Sequence, residues 1–484
     1  MILTDSSSTP APYFRVLGES QCRQLYEAAL ECLQRVGVQI HNTQARDLLI
    51  ASGAKVDGQI VHIPAGLVEH ALKNAPPAFS VWGRDGKHEM RIAADRVHFG
   101  PGPTCTYFID PSTGERRLAR RGDAALTAKV CDALPNIDYI MGLSLFSDVT
   151  PSLASVYEFA EEIANTTKPI IAWANSNSAL QDIHQIAIAV AGDEESLRAR
   201  PNYAYFTTYE SPLKLADAPL TNLMWTAEHG IPSIILGGPT VGSESPFTGA
   251  SALVLYLSPV LAALTIVQLK HPGAAMVIGG LPSMMDMRTG RPAYGSPEAS
   301  LHSAACADLA RYLHLPFMGT AGASESKSIG AQAGAEAAFE VMLAALSGAS
   351  LVHDVGFLDC ADIGSLDYLV FSDEIISMAA RIMRGVDVNA DTIMMDLIEK
   401  VGPGGTFMNQ AKSASLCRSE AWVPTVLDRS PFATWERNGR WETKDAVHKK
   451  LQGILGTHVP IPLQQDAIKD IHKILERAEA RENH

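Results

Sequence analysis

Positive charge is scarce in this chain: 39 Lys and Arg stand against 53 Asp and Glu, a formal net charge of −14 over 484 residues. A nucleic-acid binder neutralises phosphates with clustered cations, and only Arg116-Arg117 with Arg120-Arg121 forms such a cluster, which reads as a solvated loop or a docking patch for an acidic protein. Cysteine is also sparse. The seven thiols are scattered without any Cys-x-x-Cys spacing, which excludes a disulfide framework and a thiolate zinc site and fits reduced thiols. Gly-x-x-x-x-Gly-Lys-Ser/Thr, Gly-x-Ser-x-Gly and His-Glu-x-x-His are all missing, so P-loop, serine-hydrolase and zincin chemistry lose their supporting motifs. The first ten residues have no basic stretch and no apolar core, so the expected location is the cytoplasm.

What is present is a repeat of short apolar runs followed by helix-like stretches. Eight such runs fall at 97–100, 139–146, 169–173, 203–209, 233–237, 274–279, 316–319 and 351–357. Ser233-Ile-Ile-Leu-Gly-Gly and Ala275-Met-Val-Ile-Gly-Gly are continuously apolar, as strands covered on both faces must be. Helical stretches at 152–165, 182–191, 297–313, 331–346 and 372–384 separate many of them. The count of eight favours an α/β chain folded as a (β/α)8 TIM barrel over a doubly wound open sheet. Mainly helical extensions flank it, giving segments 1–95, 96–385 and 386–484. The stretch 252–269 is almost free of charge; it reads as a barrel helix covered by a terminal extension or another subunit, not as a membrane span.

A barrel carries its chemistry at the strand C-termini, so the residues just past each run are the candidates. Aromatic residues recur there, in Tyr107, Trp173, Tyr205, Tyr209 and Phe357. Several ring faces around one hole suit a quaternary ammonium, which neither donates hydrogen bonds nor loses its charge. Glu210 and Asp354 offer counter-charge, and His353 sits in the eighth run where an apolar residue is commoner. Gly237-Gly238, Gly279-Gly280 and Gly319 open space for a bulky ligand to approach the backbone, and Gln332 puts a polar group on the helix after the seventh run. No nucleophile-base pair is assigned a catalytic role, and no metal site is expected. Lys327 is the single candidate for Schiff-base chemistry, but Glu325, Ser326 and Ser328 around it leave it exposed and protonated.

With these residues in view, the chain resembles the trimethylamine methyltransferase family, corrinoid-dependent enzymes with a (β/α)8 barrel. The resemblance rests on Ser211-Pro-Leu213, Gly237-Gly-Pro-Thr240 with Phe247-Thr-Gly249, Met285-Asp-Met-Arg-Thr-Gly290 with Gly295-Ser-Pro-Glu298, Ala331-Gln-Ala-Gly-Ala-Glu336, Asp373-Glu374 with Arg384-Gly385, and Val401-Gly-Pro-Gly-Gly405 with Trp422-Val-Pro424. It implies methyl transfer from a methylated amine to Co(I) of a corrinoid (cobalamin) carried on a separate small protein. Pyrrolysine is not present, which makes the chain similar to the family's glycine betaine methyltransferases. It departs from the family pattern at Leu257-Ser258-Pro259 and at Asn409-Gln-Ala-Lys412. The expected site is then Trp173, Tyr209 and Phe357 caging a trimethylammonium, with His353 on its carboxylate, in a homo-oligomer. A betaine-binding barrel without turnover and a Lys327 lyase are the rival readings.

Overall fold

A computed structural model describes residues 2–3 and 12–482. Its centre is a curled sheet with seven parallel strands, β1 (Arg96–Phe99), β2 (Ile170–Trp173), β3 (Tyr203–Thr208), β4 (Ser233–Gly237), β5 (Met276–Gly280), β6 (Phe317–Thr320) and β7 (Leu351–His353). Their order in space is β1-β7-β6-β5-β4-β3-β2, with the short strand Ile2–Leu3 antiparallel on β1. Helices such as Ala154–Asn165, Asp217–His229, Pro297–Tyr312 and Ala331–Ser347 connect successive strands across the outer face.

The second run corrects the expected count of eight. Residues 139–146 form no ladder strand, although residues 138–140 lie between β1 and β2. The Asp138 amide donates to the Phe99 carbonyl at 2.7 Å, the Ile140 amide to Pro169 at 3.0 Å, and the Ile171 amide back to Ile140 at 2.8 Å. Two local features stop a ladder from forming. The Asp138 carboxylate, not a backbone carbonyl, accepts from the Phe99 amide at 3.1 Å, and Gly142 at φ +68° turns the chain out of the extended region. What the structure shows is therefore seven parallel strands joined by an irregular segment.

Alternation along each strand sorts side chains into two layers. Ile171, Ala204, Phe206, Ile234, Leu236, Val277, Met318 and Leu351 meet Tyr139 and Met141 inside the curl. Val81, Met90 and Ile92 join that inner cluster from the hairpin Phe79–Trp82 and Glu89–Ile92. This hairpin lies beneath the N-terminal ends of the strands, where the Trp82 amide donates to Pro201 just before β3 at 2.7 Å. The interior is thus filled from below, and its upper end is formed by the strand C-termini.

The outer layer is one continuous buried cluster running from Cys22 and Leu33 through the barrel helices to Leu451 and Ile474. The helix Gly249–Lys270 is long and apolar enough to cross a membrane, yet 78% of its most apolar window is buried. The N-terminal helices Glu19–Arg35 and Ala65–Asn74 pack against it, so the terminal extension, and not a lipid phase, receives its apolar surface. At the other end of the chain, Thr443–Thr457 packs on Leu366–Met383, and Gln465–Glu482 on Asn177–Ala191.

Candidate active site

Trp173 ends β2 on the inward side and packs on the inner cluster. Its register partner across the ladder is Phe206 of β3. The Phe206 ring lies 6.2 Å from the His353 imidazole, tilted by 56°. His353, two residues beyond the inward-facing Leu351, therefore points into the same end of the curled sheet. Tyr294 packs on the inner cluster as well, with its amide held by the Glu325 carboxylate at 2.6 Å. Burial and then the nearby Asp354 carboxylate push the Tyr294 hydroxyl well up. Trp173, Phe206, Tyr294 and His353 thus form a half-aromatic, half-polar rim.

The polar part of this rim is precisely oriented. His353 Nδ1 is 2.5 Å from Asp354 Oδ1, and Thr320 Oγ1 donates to Asp354 Oδ2 at 2.7 Å. Asp354 adopts φ +75° to make these contacts, a strained conformation for a residue with a side chain. Gly102, three residues past β1, accommodates it, since a Cβ there would stand 2.3 Å from Asp354 Oδ1. His353 is buried, and its Nε2 has no protein partner. A buried ring nitrogen without a partner costs free energy, and a ligand atom at the mouth would satisfy it.

Trp173 is anchored from behind. Its indole N–H donates to Glu158 Oε2 at 2.5 Å. Glu158 and Glu162, one turn apart on Ala154–Asn165, are both buried. Burial pushes both carboxyls up, and the charge of Glu158 pushes Glu162 further.

The other sequence candidates sit elsewhere. Tyr205 faces outward, and its hydroxyl accepts from Asn222 at 3.0 Å. Tyr209 is also in the outer layer, against Tyr256, at 3.5 Å from its carbonyl. Phe357 is fully buried in the outer cluster, its ring tip at the Gly102 backbone. Trp173, Tyr209 and Phe357 consequently do not share one layer. Tyr107 belongs to a small separate sheet, where the Arg116 guanidinium covers its ring at 3.5 Å. Glu210 is exposed and paired with Lys214. Gln332 donates to Glu336 at 2.9 Å on the surface of Ala331–Ser347.

The glycines do not open a cradle for a corrinoid. A Cβ on Gly237 would meet the Tyr209 ring at 2.3 Å, one on Gly238 the Leu281 backbone at 2.4 Å, and one on Gly279 the Leu236 side chain at 2.9 Å. Gly280 faces Tyr256 at 2.8 Å and Gly319 faces Ser303 at 2.9 Å. Each makes room for this chain's own packing. Lys327 pairs with Asp359 at 3.2 Å in an exposed position.

A family model described as trimethylamine methyltransferase (MTTB) matches residues 4–482. The chain is 30% identical over 457 residues to a glycine betaine methyltransferase of Desulfitobacterium hafniense (strain Y51), covering 94% of this chain and 95% of that protein. It is 31% identical over 472 residues to the trimethylamine methyltransferase MttB of Methanosarcina barkeri (strain Fusaro / DSM 804), covering 95% and 94%. Among solved structures it shares its fold with the monomethylamine methyltransferase MtmB of Methanosarcina barkeri, at a TM-score of 0.52 and 12% identity over 91% of this chain and 89% of that one.

Proposed function

Because this chain belongs to the trimethylamine methyltransferase family, we propose that it takes a methyl group from a small quaternary amine of the betaine type. The acceptor is Co(I) of a corrinoid, a co-substrate brought by a separate small protein docked over the barrel mouth. The observation that carries the substrate class is the unpartnered His353 Nε2 beside the rings of Phe206 and Trp173. A carboxylate needs a donor there. As an imidazolium the ring donates from both nitrogens, Nδ1 to Asp354 and Nε2 to the ligand carboxylate. The rings receive the trimethylammonium head.

A quaternary nitrogen departs as a neutral tertiary amine, so no general acid is required. The chain's own task is to hold the methyl in line at the mouth and to keep water away from it. We read residues 138–142 as completing the barrel between β1 and β2, so that the mouth is a closed ring. Val386, Val388, Ile393, Met395 and Met408 are exposed beyond the last barrel helix, which supports a homo-oligomer in which a second copy covers them.

The test incubates the purified chain with glycine betaine and a reduced corrinoid protein. The expected result is loss of the Co(I) spectrum with stoichiometric dimethylglycine. Betaine binding without dimethylglycine would instead mark a binding barrel. The names of the relatives, all methyltransferases, favour turnover.

A further inference from the structure

We propose that Tyr294 is a second donor to the substrate carboxylate and that, together with His353, it makes the mouth select quaternary amines that carry a carboxylate over those that do not. This deepens the betaine reading above and rests on it.

Tyr294 belongs to the segment after β5, where Met284–Asp286 and Arg291–Ala293 pair as an antiparallel hairpin. Its ring packs on both the inner and the outer cluster, so it stands where the two layers meet. Beyond burial itself, the groups that act on its hydroxyl are Asp354, Cys360, Cys105 and Glu325, in that order. Asp354 and Cys360 follow β7 and Cys105 follows β1, while β6 lies between β5 and β7 in the sheet. A side chain rooted after β5 thus reaches past β6 to the carboxylate that orients His353.

The backbone that carries this ring is fastened on two sides. After β6, the Glu325 carboxylate accepts from the Tyr294 amide at 2.6 Å and from the Gly295 amide at 3.3 Å. After β7, Asp359 accepts from the Arg291 guanidinium on its carboxylate and on its carbonyl, each at 3.1 Å, and the Cys360 thiol donates to the Pro292 carbonyl at 2.9 Å. Asp359, Cys360 and Ala361 all take positive φ, which is costly in residues with side chains. Three loops therefore hold Tyr294 in one place.

A tyrosine hydroxyl in such surroundings normally has a hydrogen-bond partner, yet none among the described residues accepts from this one. The neighbouring Asp354 already receives His353 on Oδ1 and Thr320 on Oδ2. His353 Nε2 is likewise without a partner. A trimethylammonium group offers nothing to a hydrogen-bond donor, so the carboxylate oxygens of a betaine are its only acceptors and both donors serve that end. Burial and the Asp354 charge keep the phenol protonated, so it donates without a charge of its own.

Isothermal titration of the full chain with glycine betaine and with tetramethylammonium tests this. Wild type should prefer glycine betaine, and Tyr294→Phe should weaken it about ten-fold, as expected for a hydrogen bond to a charged group. Tetramethylammonium should bind as before, because the ring remains. Glu325 is a positioning residue: Glu325→Ala frees the two amides and should lower the preference, Glu325→Gln should restore it, and in a Tyr294→Phe background Glu325→Ala should add nothing. Equal losses for both ligands in Tyr294→Phe, or an unchanged preference, would overturn the proposal. If Tyr294→Phe does not fold, Glu325→Ala carries the test, and an intact preference there overturns it. The betaine reading fails differently, since wild type itself would then show no preference for glycine betaine, and this proposal would fall with it.

Discussion

At the scale of single residues, the site depends on which side of a strand each ring occupies. His353→Ala should weaken glycine betaine about ten-fold or more by deleting a charge-assisted donor, while tetramethylammonium, which has no carboxylate, binds as before; equal losses in calorimetry would make His353 structural. Trp173→Ala should weaken both ligands, by about 1–2 kcal/mol for a desolvated cation–π contact. Gly142→Ala forces a Cβ into Glu158 at 1.9 Å and at φ +68°, and should cost about 2–3 kcal/mol in urea unfolding. The strand register alone placed Trp173 and His353 at strand ends, and the family resemblance was needed to single out His353. Phe206 and Tyr294 were not singled out, and Tyr205 and Tyr209 drew attention in their place. A strand buried on both faces has no polar side to declare its parity, so the run 203–209 did not reveal that its tyrosines face helices and Phe206 faces the interior.

At the scale of elements, composition and turn residues located most strands to within two residues, as with β4 at Ser233–Gly237. The failure at 139–146 has a local cause in Asp138 and Gly142, whose effect depends on what β1 and β2 present to them. Glu374, on Leu366–Met383, shows how the C-terminal extension is tied down. It accepts from the amides of Thr425, Val426 and Leu427 at 2.8–3.3 Å and from the Thr425 hydroxyl at 2.6 Å. Burial alone would raise its carboxyl, but these bonds outweigh it and hold the group below the ordinary value. With the folded state holding the proton less tightly, the stabilisation is present above the unfolded value of about 4.3 and is lost as pH falls through the folded one. Glu374→Gln should therefore cost about 1–3 kcal/mol at pH 7. In chemical denaturation the gap to wild type should narrow below about pH 4.

At the scale of the whole molecule, several carboxyls are buried with oxygens unsatisfied, and Glu340 is the clearest case outside the mouth. Its Oε2 accepts from the Ala323 amide at 3.1 Å, its Oε1 has no partner, and burial pushes its carboxyl well up. A raised carboxyl favours the folded state fully below the unfolded value, and that contribution is lost as pH rises toward the folded one. Wild type should lose stability as pH rises above about 5, at up to about 1.4 kcal/mol per pH unit for each such group. Glu340→Gln should flatten the profile; urea midpoints that track wild type at both ends would show that Glu340 does not contribute. The same scale separates what the chain determined alone from what folding decided. Apolar runs, their spacing and the residues at their ends are local properties, and they were enough to specify an α/β barrel-like sheet, its helices and the family resemblance. Whether a ring points to helices or to the mouth, whether a glycine makes room for a ligand or for Tyr209, and whether a buried carboxyl finds a donor depend on partners distant in sequence. Those relations do not exist until the sheet curls and its layers close.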